Sequence, residues 1–509
     1  MREKIGQLFM VGFDALEAND HIRTLIRQKK VGGVILFRRN VHTPAQVSRL
    51  CRELQDINAE VSDIPLLISI DQEGGMVMRI EQGVTPIPAA MAFQAAGSVE
   101  DCERLNRVSG GEMRQVGINM LLAPVLDVNN NRSNPVIGVR AYGEDADTVI
   151  SYGMAAMRGQ QSSGVAVTAK HFPGHGDTAT DTHYAMAKVA HDKERLHAVE
   201  LAPFRAAIAA GVDAIMTAHV VFPAFESDTS VPATLSKGVL TDLLRGEMKY
   251  DGVVISDCLE MAAIADGIGI TQGAIATLQA GADIVLISHR EAQQHAAIEA
   301  VVAAVEYGAI PMARIDEAVA RVAALKRVRA VQDWRERAVE PASLMQPASM
   351  ALARQVQQAA LRVDGPFRPL AASLPVTLIT VEVRSRSEID EVALGRNKEA
   401  RSSMLPALLA AGFDVREYAL SAQAEEEEVD AAIAFAQGAQ QIVLQTYNAL
   451  FVDGQRRLAA ALPHDRLWLV AGRLPYDLDL VPEAQGRLAA FGCRPAALAP
   501  VVDKLAGKA

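Results

Sequence analysis

Cysteine is scarce in this sequence. The four present, Cys51, Cys102, Cys258 and Cys493, lie far apart and form no CxxC pair. Neither a disulfide framework nor a thiolate zinc site is therefore expected, and reduced thiols in a cytosol fit best. No block of Lys and Arg is dense enough to make a basic footprint, and a net charge of -11 with a pI near 5.6 disfavours a nucleic-acid partner. Long apolar runs are also missing: none can span a bilayer. The opening MREKIGQLFMVGFDALEAND has too short an apolar run and no small-residue cleavage site for a signal peptide. A cytoplasmic location is the expectation, with a secreted or lipid-anchored one only if a leader has been removed. No glycine-rich dinucleotide turn follows an early strand pattern, and there is no low-complexity segment. These absences leave a small or neutral ligand.

What is present is a repeating unit. Short apolar runs recur at 8–13, 31–37, 65–71, 119–128, 165–172, 213–220, 252–257 and 282–288. They are continuously apolar instead of alternating, as parallel strands covered on both faces must be. Between them, PAQVSRLCRELQDINAEV, ADTVISYGMAAMRGQQSSG, HAVELAPFRAAIAAG and LSKGVLTDLLRGEMKYDG carry helix-period spacing, and three of these run into a glycine stop signal. Eight such units predict a (β/α)8 TIM-type barrel. An open doubly wound sheet is the weaker alternative, since the glycines of VGGVILF precede their strand and cannot cradle a phosphate there. At 509 residues the chain exceeds what one core organises. The reading is a barrel over 1–330, a helical linker over 331–373, and a smaller three-layer αβα domain over 374–509, with strands in PVTLITVEV, FDVREYAL, QIVLQTYN and RLWLVAG. The acidic run EEEEVD (425–430) reads as a solvated helix face.

In such a barrel the active site is built at the carboxyl ends of the strands. Those positions are polar here: Asp71 then QEGG, Asp127, Lys170 with His171, His219 and Asp257. Asp257, after a fully apolar strand, suits a nucleophile, a metal ligand or the N-cap of a helix beginning near Leu259. The stretch KHFPGHGDTATDTHYAM (170–186) holds three histidines and two aspartates. Pro173, Gly174 and Gly176 break any helix that would put His171 and His175 on one face, so loop chemistry is favoured over a metal site. The glycines suggest a turn that brings backbone close to a ligand. Asp181 and His183, two apart, point the same way in an extended segment, where a carboxylate can fix the tautomer and raise the basicity of the imidazole.

Taken together, IDQEGGMVMR (70–79), NMLLAPVLDV (119–128), NPVIGVRAYG (134–143), KHFPGHGDTATDTH (170–183), DAIMTAHVVFP (213–223) and VVISDCLEM (253–261) resemble glycoside hydrolase family three, and within it the bacterial β-N-acetylglucosaminidases. The second domain resembles the α/β domain of the longer members. The resemblance implies Asp257 as catalytic nucleophile, His183 as acid/base with Asp181 as its partner, and Asp71, Arg79, Arg140, Lys170 and His171 as the residues holding the terminal sugar. Asp127 is expected to be supporting structure and Cys258 to be packed instead of reactive. Met76 and Met78 depart from the polar residues common at those places, and are expected to alter contacts with the sugar.

The implied reaction is exo-acting double displacement with retention, without cofactor or metal, on N-acetylglucosamine glycosides of cell-wall or chitin type, including muropeptides, as in peptidoglycan recycling. A neutral imidazole beside the glycosyl-enzyme repels an anionic acceptor less than a carboxylate does. A phosphorylase using phosphate is therefore an alternative, as are a β-glucosidase of the same family and a non-catalytic sugar sensor.

Overall fold

A computed structural model of the chain describes residues 1–179, 186–336, 343–382 and 403–508. Eight parallel strands close into a barrel: β1 (Phe9–Val11), β2 (Gly33–Leu36), β3 (Leu67–Ile70), β4 (Met120–Leu121), β5 (Ala166–Phe172), β6 (Ala214–Thr217), β7 (Val253–Cys258) and β8 (Ile284–Ile287). Each strand neighbours the ones before and after it in the chain, and β1 pairs with β8. Nearly every strand residue is buried, which is why the runs show no alternation. Gly32 and Gly33 serve this closure: a Cβ on Gly32 would stand 2.1 Å from the Gln7 carbonyl oxygen, and one on Gly33 3.0 Å from that of Leu67.

All eight expected strands are present and in order, but several are shorter than expected. The fourth is the extreme case, with two regular residues where ten were read. Pro124 has no N–H for the ladder, and beyond it the chain stays beside β5 only through single contacts such as Leu126 N to Lys170 O at 2.7 Å and an isolated bridge from Val125 to Lys170. The helix read in HAVELAPFRAAIAAG is two, Lys193–Ala198 and Ala202–Ala209, with Pro203 in the first turn of the second. The helix Gly238–Glu247 stops not at Gly252 but before Lys249, which takes the left-handed φ of 58°.

A second, six-stranded sheet is built from β9 (Arg362–Val363), β10 (Val376–Glu382), β11 (Val415–Ser421), β12 (Gln441–Thr446), β13 (Leu467–Ala471) and β14 (Gly486–Ala489). Its order is β9-β14-β13-β12-β10-β11, parallel except for β9. The four expected strands are joined by β14 and by β9, which comes from the segment read as linker. The acidic run begins the helix Glu426–Phe435; Glu425, Glu426 and Glu427 are exposed, while Glu428 turns back to accept the Glu425 N–H at 3.1 Å as a capping box. Between barrel and second sheet lies a shared apolar cluster that includes Ala92 and Val139 from one side and Leu474, Leu478 and Phe491 from the other. No helix among the described residues is long and apolar enough to cross a membrane.

One buried charge tunes this fold. Lys326 is 1 % exposed with its ammonium on Gln7 Oε1 at 2.7 Å, and burial pushes its pKa down from 10.5 to about 7. The folded state therefore gives up a proton between those values while the unfolded chain keeps it, so this residue's penalty is complete below pH 7 and fades as pH rises towards 10.5. Lys326→Met is expected to melt a few degrees above the parent at about pH 7, with the gap narrowing by about pH 10. Thermal melts across pH check this; a gap that widens with pH refutes it.

Candidate active site

At the carboxyl ends of the barrel strands lies a bowl of about 650 Å³, counting the open space at its mouth. Its floor is apolar, with Ile35, Leu122, Met216 and Leu286. Around it stand Asp71, Arg79, Arg140, Lys170, His171 and Asp257, so six of the eight residues singled out from sequence share one cavity. The other two, Asp181 and His183, lie outside the described residues.

The polar wall is an interlocked set of charges. Lys170 Nζ is 2.7 Å from Asp71 Oδ1 and 2.6 Å from Glu73 Oε1. Arg140 grips Glu73 in a fork, Nε to Oε2 at 2.8 Å and Nη2 to Oε1 at 2.8 Å, the geometry that makes arginine a carboxylate partner. Arg79 Nη2 stands 3.6 Å from Asp71 Oδ2. Burial raises the Glu73 pKa, but Arg140 and Lys170 outweigh it and hold the carboxyl well below its ordinary range. Burial likewise works against the Lys170 charge, and Asp71 and Glu73 reverse it, so the ammonium is held charged. Glu73 is a residue that sequence reasoning passed over. The available signal was its place two residues after Asp71, together with two buried cations for which one carboxylate had been assigned.

The strand-to-hairpin geometry explains this convergence. After β3 the chain makes a small antiparallel hairpin, Gln72–Gly74 against Val77–Met78. The Gln72 side chain ties it shut by accepting the N–H of Arg79 at 3.0 Å and donating to Ile80 O at 2.8 Å. Met76 and Met78, expected to modify sugar contacts, are 1 % and 2 % exposed and do not line the bowl; between them Val77 does.

Under His171 sits Asp127, wholly buried. Its Oδ2 is 2.7 Å from His171 Nδ1 and its Oδ1 accepts the His175 N–H at 2.6 Å. Burial opposes the Asp127 charge, but the two imidazoles prevail and lower its pKa. The carboxylate thus orients the His171 ring from below. His175 also reaches the bowl; burial pushes its pKa down to about 4, so it stands neutral at physiological pH. Its loop is pinned by Asn134, whose amide donates to His175 O at 2.8 Å and Gly176 O at 2.9 Å. The glycines of this stretch let the loop pack closely against neighbouring segments: a Cβ on Gly176 would fall 1.7 Å from Val128 O, and one on Gly174 2.8 Å from Glu200 Cβ.

Asp257 is the penultimate residue of β7, with its Oδ1 accepting the Cys258 N–H at 2.7 Å. The N-cap alternative fails, because the next helix is Ala262–Ala265 and its cap position is Met261. Cys258 is buried, and burial with Glu260 nearby pushes its thiol up to about 12; it is inert packing. His219 is fully buried and spans from Thr234 Oγ1 (2.8 Å) to Cys258 O (2.9 Å), bracing the end of β7. A second residue missed from sequence is Glu260, which accepts the N–H groups of Ser288, His289 and Arg290 at 2.8, 2.6 and 2.9 Å and so shapes the loop leaving β8.

Among the described residues, two groups gather metal-ligating atoms within 4.8 Å of one another: Cys258 with Glu260 and His289, and Asp177 with His191 and Glu200. Both are already engaged internally. Glu260 takes the three N–H groups above, Asp177 Oδ2 lies 2.5 Å from His191 Nε2, and Glu200 accepts from Arg195 at 2.7 Å.

This architecture has close counterparts among known proteins. A solved glycoside hydrolase family 3 β-N-acetylglucosaminidase from Paenibacillus sp. str. FPU-7 matches 100 % of this chain and 97 % of its own, with a TM-score of 0.93 at 45 % identity. A β-hexosaminidase of Pseudomonas aeruginosa is 38 % identical over 299 residues, covering 58 % of this chain and 86 % of that protein. Beta-hexosaminidase A of Pseudoalteromonas piscicida is 38 % identical over 278 residues, and there the match takes in 52 % of this chain but 46 % of the longer relative. The model of the glycosyl hydrolase family 3 N-terminal domain matches residues 1–325, a span that takes in all eight barrel strands and every bowl residue named above, and on that match the chain belongs to glycosyl hydrolase family 3.

Proposed function

We propose that the chain is a retaining, exo-acting β-N-acetylglucosaminidase that releases terminal N-acetylglucosamine from cell-wall or chitin glycosides, muropeptides among them, in the cytoplasm. The observation that carries this is one bowl lined by Asp257 together with Asp71, Arg79, Arg140, Lys170 and His171, which in this reading hold the terminal sugar. Support also comes from the names borne by the Paenibacillus and Pseudomonas relatives. Residues 1–330 form the catalytic unit, 331–373 the linker and 374–509 the second domain in this reading.

The carboxylate of Asp257 attacks the anomeric carbon while His183, with Asp181 as its partner, protonates the departing oxygen. The glycosyl–aspartate ester then forms. In the second half, His183 takes a proton from the incoming acceptor, whose oxygen displaces Asp257 and restores the original anomeric configuration. Alternating Lys170 and Arg79 donors with Asp71 acceptors suit the vicinal hydroxyls of a pyranose.

Turnover of an aryl β-N-acetylglucosaminide against the matching β-glucoside tests the substrate; faster hydrolysis of the glucoside overturns it. Product masses in phosphate buffer test the acceptor: free sugar is expected, and sugar 1-phosphate identifies a phosphorylase instead. His183→Ala is expected to lower kcat/KM by about 10³-fold on alkyl glycosides but by about tenfold or less on a nitrophenyl leaving group, which departs without a proton. Equal losses on both would remove His183 from the acid role.

A further inference from the structure

The second sheet presents a puzzle that the barrel answers. In open α/β sheets ligands bind at the carboxyl ends of the strands, where the strand order reverses. Here the order β11-β10-β12 puts that place between β10 and β12. Val381, near the end of β10, and Tyr447, just past β12, pack there in one cluster with Ala422, Cys493 and a residue of the barrel, Met76. Met76 is 1 % exposed, with Cys493 Sγ 3.6 Å from its sulfur. With Gly75 it makes the turn of the hairpin that carries Glu73 on one arm and runs into Arg79 on the other. The next residue along, Arg494, locks the same turn: Nη2 donates to Met76 O at 2.8 Å, and Nη1 is 3.0 Å from Glu81 Oε1. Glu81 Oε1 in turn lies 3.6 Å from Arg38 Nη1, which donates to Arg79 O at 3.1 Å.

We infer that the second domain works as a clamp on the sugar-binding hairpin, holding in its strand-end crevice the Met76 side chain in place of a ligand of its own. Met76 and Arg494 are positioning residues, acting on the bowl through Asp71, Glu73 and Arg79 without touching substrate. An isolated two-stranded hairpin is barely stable by itself, and its charged arms must be held to within a fraction of an ångström to bind a rigid ring. The crevice supplies an apolar seat, and Arg494 supplies two fixed contacts on either side of it.

The inference rests on the proposed function for its kinetic arm only. Full-length Arg494→Ala and Arg494→Lys are compared with the parent by amide hydrogen exchange over residues 72–81 and by steady-state kinetics on an aryl β-N-acetylglucosaminide. For Arg494→Ala, exchange of the hairpin amides is expected to accelerate about tenfold with exchange in the barrel strands unchanged. KM is expected to rise about tenfold with kcat within about threefold of the parent, and Arg494→Lys to recover part of both. Met76→Ser is expected to behave as Arg494→Ala does. Hairpin exchange at the parental rate in both Arg494→Ala and Met76→Ser overturns the clamp, whatever the kinetics; a parent that does not turn over the glycoside overturns the substrate reading and leaves the exchange result to decide the clamp.

Discussion

Asp257→Ala is expected to lower kcat on an aryl β-N-acetylglucosaminide by at least about 10⁴-fold, because in the proposed double displacement its loss removes the reaction path and not merely a contact. The fold should register the change only slightly, through loss of the bond from the Cys258 N–H to the Asp257 carboxylate. The β7 strand is held by its backbone pairing to β6 and β8 and by His219 on the Cys258 carbonyl, none of which uses the Asp257 side chain. Similar melting temperatures for parent and variant, alongside kinetics, separate the two effects. A 2-fluoro glycoside should mark the parent on the peptide containing Asp257 and leave the variant unmarked. Activity within about a hundredfold of the parent, or a label on another side chain, would remove Asp257 from the role.

Glu73→Ala is expected to be the most damaging change on the polar wall, in stability as well as activity. Its carboxylate is the common partner of Lys170 and Arg140, and removing it takes from the buried Arg140 its carboxylate partner and leaves Lys170 with Asp71 alone. Breaking a buried pair costs about 3–5 kcal/mol, and kcat/KM should fall by about 10³-fold as Lys170 and Arg140 shift away from the sugar. The sign with pH follows from the depressed carboxyl. The Glu73 contribution is fully present above its ordinary pKa of 4.5 and is lost as pH falls below it. The stability gap between parent and variant should thus be widest near neutrality and close in acid. Urea melts at pH 7 and in acid check this, and a gap of less than about 1 kcal/mol at neutral pH would show that the cations have found other partners.

What could be read from sequence, and what could not, follows the range of the forces involved. The eight barrel strands are legible because burial on both faces forces continuous apolar runs, a property of adjacent residues. Their ends are less so: β4 stops after Leu121 because Pro124 and the rim contacts of Val125 and Leu126 interrupt the ladder, though the run stays apolar to Leu126. In the second sheet β9 and β14 escaped notice, one spanning two residues and the other, GRLA, without a β-branched side chain. Asp71, Lys170, His171 and Asp257 stood out as charges ending apolar strands. Glu73 and Glu260 did not, since each acquires its meaning from partners far along the chain: Arg140 for the first, the backbone of 288–290 for the second. Met76 is the same lesson in reverse. Read locally, a methionine between Asp71 and Arg79 suggested an altered subsite; its seat lies more than 300 residues away, beside Val381 and Cys493.

The charges around the bowl also cancel. Three carboxylates, Asp71, Glu73 and Asp257, share the cavity with three permanent cations, Arg79, Arg140 and Lys170, so these six charges balance within a chain carrying -11 overall. A guest entering it meets strong local dipoles but no net field to draw it from a distance. Capture of an uncharged saccharide should accordingly be governed by diffusion and fit, and be indifferent to ionic strength, while the surplus negative charge spread over the outer surface keeps copies of the protein apart.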